Sequence, residues 1–128
     1  SFDEKALGDL DLGFYNGFEQ DLKKFKISSR LTLVSDPFDL SRFDIPFKIK
    51  VTDFVCDRYT CTSFFKLLNP KNDKSLFEKE LSFDDREGKI VKVDKRYYNI
   101  NVISFDYNIS RDSNWVRVSI GELSPTLE

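Results

Sequence analysis

Along most of the chain, apolar and polar side chains alternate with a period of two, the mark of strands buried on one face. Ile27, Ser29, Leu31 and Leu33 share one parity until Ser35-Asp36-Pro37 breaks the run. Phe47, Ile49 and Val51 then alternate with Lys48, Lys50 and Thr52, a strand with one face turned to solvent. Residues 62–68 form a return strand that ends at Leu68-Asn69-Pro70. Phe77, Leu81 and Phe83 mark the next strand, and the turn Asp84-Asp85-Arg86-Glu87-Gly88 leads into residues 90–93. Tyr98, Ile100 and Val102 face one way, whereas Ile103, Phe105 and Tyr107 have the opposite parity. That change predicts a β-bulge near Val102–Ile103, or a strand buried on both faces. Val116, Val118 and Ile120 form the last strand, ending at Gly121. Short strands punctuated this regularly predict an all-β fold, an antiparallel β-sandwich of about seven strands.

The first 26 residues depart from this period. Leu7, Leu10, Phe14, Phe18, Leu22 and Phe25 recur at steps of three or four, the spacing of a helical face. Gly8, Gly13 and Gly17 oppose a helix, each costing up to about 1 kcal/mol in its interior. Asn16-Gly17 is moreover a strong hairpin signal. The reading is an irregular or extended start and then a short helix over residues 18–26, with Glu19 and Lys23 forming an i,i+4 pair. The expected organisation is therefore an N-terminal irregular or helical segment, 1–26, packed on a sandwich, 27–123, with a tail at 124–128.

Composition narrows what such a domain does. The 128 residues carry 20 basic and 22 acidic side chains, a net charge of −2 that does not suit a dedicated nucleic-acid binder. The longest uncharged stretch, residues 97–105, is far shorter than the roughly 18–20 apolar residues of a bilayer span. With no histidine there is no Ser/His/Asp or Cys/His catalytic pair and no imidazole metal site. A start at Ser1 without methionine reads as a processed mature form or an excised domain, with any leader removed. The 13 phenylalanines read as the filling of a sheet core.

Cys56 and Cys61, separated by four residues, fit the facing positions of a hairpin. A disulfide there points to an oxidising compartment; the alternative is a pair of reduced thiols in a cytosolic protein. Zinc is excluded as a reading, because two thiols without histidine do not complete four ligands. Carboxylates are the remaining acid–base candidates, Asp84, Asp85 and Glu87 at one turn and Asp36, Asp39 and Asp44 at another. Their Gly- and Pro-containing turns suit solvated charges better than a buried general acid. Lys89, Lys92, Lys95 and Arg96 beside Tyr97 and Tyr98 could hold phosphates while the rings stack on bases. Strand alternation instead makes these cations the ends and solvent face of an ordinary strand, where lysines discourage edge pairing.

Asp36-Pro37-Phe38, Leu68-Asn69-Pro70, Phe105-Asp106-Tyr107-Asn108 and Val118-Ser119-Ile120 resemble fragments of a C2 domain. That family is an eight-stranded sandwich of about this length, many members of which bind calcium and anionic phospholipid through loop aspartates. The resemblance implies ligand positions at Asp36, Asp106, Asn108 and Asp112, with Asn114 where a further acidic ligand belongs. Two departures accompany it: the strand over residues 31–34 leaves no room for a first-loop aspartate upstream, and asparagine lowers the charge offered to calcium. The sandwich is accordingly expected to be immunoglobulin-, transthyretin- or C2-like. Asn108-Ile109-Ser110 has the form of a glycosylation acceptor, relevant in a eukaryotic secretory protein.

The leading expectation is a non-enzymatic, extracytoplasmic module, secreted, periplasmic or surface-anchored, that binds or assembles with another protein and uses no cofactor. The alternatives are a C2-like calcium and phospholipid binder and a small enzyme working through a carboxylate. For docking, Trp115, the only tryptophan, opposes the parity of Val116, Val118 and Ile120. It is expected on the outer face beside Arg117, or at the sandwich end, with Tyr97 and Tyr107 close by. In the alternative register, shifted by one residue, Trp115 is a core side chain.

Overall fold

Alternation becomes strand over most of the described chain. The computed structural model describes residues 2–4, 10–16, 30–33, 36–56, 60–108 and 113–125. Its strands are β1 (Phe2–Glu4), β2 (Leu10–Asn16), β3 (Arg30–Leu33), β4 (Phe38–Asp39) and β5 (Lys48–Cys56). They continue as β6 (Cys61–Leu68), β7 (Leu81–Asp84), β8 (Gly88–Val93), β9 (Arg96–Asn108) and β10 (Ser113–Pro125). A 3-10 turn, Ser41–Phe43, precedes β5. The fold is all-β, with one six-stranded sheet ordered β3-β2-β10-β9-β8, β1 also pairing β10, and one four-stranded sheet ordered β4-β5-β6-β7.

The N-terminal expectation needs correcting. Residues 2–4 and 10–16 are strands of the larger sheet itself, not a segment laid on it. The length of β10 explains how: β2 pairs its residues 114–120 and β1 its residues 123–125, so both share one flank. Leu12 and Phe14 alternate inward on β2, so the period of two prevails there over the helical spacing. The expected helix over residues 18–26 lies outside the described residues. Every described pair is antiparallel except β2–β3, which is parallel and departs from the wholly antiparallel expectation. Two further boundaries move. The strand expected from Phe77 begins at Leu81, because Leu76 turns back to donate its amide to the Leu67 carbonyl (2.8 Å). At the other end, β10 runs into the expected tail as far as Pro125.

One core joins the sheets. Phe14 of β2 meets Phe65 of β6 edge to face at 5.8 Å, and Phe65 meets Phe83 of β7 at 5.4 Å. Phe47, next to β5, meets Tyr98 of β9 at 5.3 Å. Seven residues further along both strands, Phe54 meets Phe105 at 5.1 Å. Seven is odd, so strict alternation would have turned the second pair outward. Each strand corrects this with one extra residue. On β9 the register passes from Val118↔Val102 to Arg117↔Ser104, leaving Ile103 unmatched, which is the bulge the parity change predicts. On β5 it passes from Val51↔Phe65 to Asp53↔Phe64, leaving Thr52 unmatched, with its hydroxyl donating to the Phe64 carbonyl at 3.2 Å.

The disulfide Cys56–Cys61 closes the β5–β6 ladder at its last register pair. The β8–β9 hairpin turns on Asp94 and Lys95, both at positive φ (54° and 65°). That backbone matches the twist of the strands, but it strains an L side chain where Asn-Gly would not. Lys95→Gly is therefore expected to raise stability by about 0.5–1 kcal/mol. A higher urea midpoint at unchanged slope is the readout, and an unchanged or lower midpoint contradicts the strain.

Candidate functional site

The expected docking residues do not form one patch. Val116, Val118 and Ile120 lie in the core as their parity requires, so the indole of Trp115 is on the opposite side of β10. It is nevertheless only 2 % exposed. Alternation specifies a face but not its cover, and β10 is an interior strand, in register with β2 and β9 on its two flanks at Trp115. The exposed anchor expected at Trp115 is thus absent from the described surface. Arg117, half-buried, pairs in register with Ser104, whereas Tyr97 pairs with Leu123. Six residues of β10 separate these rows, about 20 Å at strand rise. Tyr107 stands at the far end opposite Asn114, and its side chain lies outside the description.

The charged candidates act mainly as structure. Tyr98 is wholly buried, so the pair of rings that base stacking would use is split between core and surface. Lys92 covers Tyr97 at 5.5 Å. Lys89 shares the inward face of Val91 and Val93, reaching 5.1 Å from the Phe83 ring and donating to the Ser82 carbonyl, so it joins β8 to β7. Asp39 accepts the Ser41 amide at 3.0 Å, and that hydrogen bond holds its carboxyl below the ordinary value, the wrong direction for a general acid. Asp84 accepts the Thr62 hydroxyl at 2.9 Å, and Glu87 accepts the Asp84 amide at 2.8 Å.

A latch that the sequence does not advertise closes one end of the core. Arg96 donates to Glu122 Oε1 at 2.6 Å, to the Asp44 carbonyl at 2.7 Å and to its carboxylate at 3.1 Å, and it lies over the Tyr98 ring at 5.7 Å. Its acceptors lie 26 and 52 residues away in sequence, beyond the reach of any local pattern.

Among the described residues, part of one strand has no neighbour on its second flank. Strand β8 pairs β9 only through Asn101, and the Val102 amide donates to the Glu87 carbonyl at 2.9 Å. From residue 103 to 108 β9 continues along β10, but among the described residues no strand lies on its other flank. Ile103, the bulged residue at the start of this overhang, is 37 % exposed. Among the other edges, β8 carries Lys89 and Lys92, β1, β3, β4 and β7 are short, and β5 beyond β4 has Lys50, Asp53 and a bulge; the overhang itself carries a bulge at Ile103 and the charge of Asp106. Between Arg96 and Arg111 the sole charged residue is Asp106. The signal available beforehand was the uncharged run 97–105 in a strand longer than its predecessor.

The register places two of the C2-like ligand positions, Asp106 and Asn108, both on β9. Leu33, Tyr15, Trp115 and Asp106 form one row across β3, β2, β10 and β9. Leu33, three residues before exposed Asp36, thus stands three strand spacings from Asp106, about 14 Å. Asn108 ends β9, and Asp112 lies outside the described residues. Among the described residues no three His, Cys, Asp or Glu side chains gather as a metal site, and no helix is long and apolar enough to cross a membrane.

Tyr98 offers a test of the latch. Its buried hydroxyl has no hydrogen-bond partner among the described residues. Burial pushes its pKa up to about 12; Arg96 opposes that rise, while Glu122, Asp44 and Asp94 add to it. The folded state therefore holds this proton more tightly than the unfolded chain, where the ordinary value is 10.0. The stability it contributes is complete below pH 10 and declines as pH rises from about 10 to 12. Tyr98→Phe is expected to lose this decline and to differ from the wild type by less than about 1 kcal/mol at pH 7. Urea unfolding at pH 7, 9 and 11 reads both effects, and identical pH profiles contradict them. Comparisons with protein-family models, curated proteins and solved structures find no match, so the chain's own geometry carries the functional reading.

Proposed function

We propose that the protein is a non-enzymatic β-sandwich module that works by protein–protein binding or assembly outside the cytoplasm. The observation that supports this best is the overhang of β9 at residues 103–108, which has no neighbouring strand on its second flank among the described residues and opens with exposed Ile103. Such an edge takes an extended segment as an added strand: backbone hydrogen bonds supply affinity, and alternate side chains supply selectivity. The Cys56–Cys61 disulfide supports the compartment, since disulfides persist where the surroundings oxidise. As to the type of sandwich, six strands facing four, with one parallel pair, differ from an eight-stranded C2 layout.

Site-specific photocrosslinking in the organism that makes the protein tests this reading. A benzophenone side chain at position 103 is expected to yield a covalent protein adduct, and one at exposed Glu78 to yield none. Equal yields at the two positions, or none at 103, contradict the reading. Mass spectrometry of unreduced native protein tests the compartment: no free thiol is expected, and two free thiols contradict an oxidising location.

A further inference from the structure

We infer that the Cys56–Cys61 bond is a redox-sensitive clasp, opened by a dithiol reductant while the sandwich stays folded and closed again on reoxidation. This goes beyond the binding reading and does not depend on which partner the module takes.

The bond joins two strand ends outside the core. Cys56 and Cys61 are the last register pair of β5 and β6, with Cα atoms 4.0 Å apart. So close a pair occupies a position of the antiparallel ladder whose two residues exchange no backbone hydrogen bonds. Beyond Val55↔Thr62 it is therefore the sulfurs that hold the ladder closed. The core lies further in: Ser63, Phe65 and Phe83 are wholly buried, and Phe54 meets Phe105. Val55, by contrast, is 52 % exposed, Thr60 is exposed and both cysteines are half-buried. Toward the turn from Phe54 and Ser63, no described residue of this hairpin is buried. Only four residues separate the cysteines, so opening the bond releases less chain entropy than opening one that closes a long loop. In the exchange, a thiolate of the reductant attacks one sulfur, the S–S bond breaks, and the departing cysteine takes up a proton. The reductant's second thiolate then resolves the mixed disulfide, leaving two cysteine thiols and one oxidised dithiol. The pairs Val55↔Thr62 and Phe54↔Ser63 keep the two thiols neighbours, ready to close the same bond.

Timed alkylation of the intact chain in native buffer tests this, with dithiothreitol as the reductant and mass spectrometry counting the thiols. Both cysteines are expected to be modified at a rate proportional to dithiothreitol, and urea below the unfolding transition is expected to change that rate by less than about twofold. The reduced protein is expected to keep the fluorescence of its buried Trp115, and so is a Cys56→Ser/Cys61→Ser variant. Removing the reductant and adding oxidised glutathione is expected to restore the bond within one chain. A rate that levels off at high dithiothreitol and climbs steeply with urea overturns the inference, since the bond would then open only as the chain unfolds. Resistance to reduction in native buffer overturns it too, as does loss of the native fluorescence in both the reduced protein and the variant. Reoxidation into stable mixed disulfides or linked chains contradicts the closing step.

Discussion

The structure depends on keeping aromatic side chains of β5 and β9 turned toward each other along their whole length. A strand shows alternate residues to the core, and no odd-numbered step preserves the face. The first contact, Phe47 with Tyr98, and the second, Phe54 with Phe105, are an odd number of residues apart on both strands. The inserted Thr52 and Ile103 restore the face, one in each sheet. Without them the rings at that end would point to solvent, and the hairpin closed by Cys56–Cys61 would lose its apolar support.

The same devices define the surface. On the flank of β9 away from β10, β8 stops just before the unmatched Ile103. At the opposite end, Arg96 ties β9 and β10 of one sheet to the turn leading into β5 of the other, through Glu122 and Asp44. One end is fastened by a charged latch over Tyr98, and at the other β9 runs past β8 with no strand on that flank among the described residues.

Much of the fold was legible because its causes are local. Parity change alone located the bulge on β9, the spacing of Cys56 and Cys61 anticipated their pairing, and Val116, Val118 and Ile120 were correctly assigned inward. What escaped is non-local. Nothing near residues 2–16 shows that a long β10 offers one flank to two strands. Trp115 was placed on the correct face, yet lateral cover depends on strand order, and strand order is invisible to alternation. Arg96 looked like one cation in a basic run because Asp44 and Glu122 are remote in sequence. The candidate edge was half visible, as an uncharged strand, but its freedom appears only once the extent of β8 is known.

The claim that two matched bulges exist to keep one aromatic contact is tested most directly by a double-mutant cycle on Phe54 and Phe105. Phe54→Leu, Phe105→Leu and the double variant are compared with the wild type by urea unfolding. A favourable ring pair predicts a coupling of about 0.5–1.5 kcal/mol between the two positions. Strictly additive losses would contradict the account, since they would mean that each ring packs without the other.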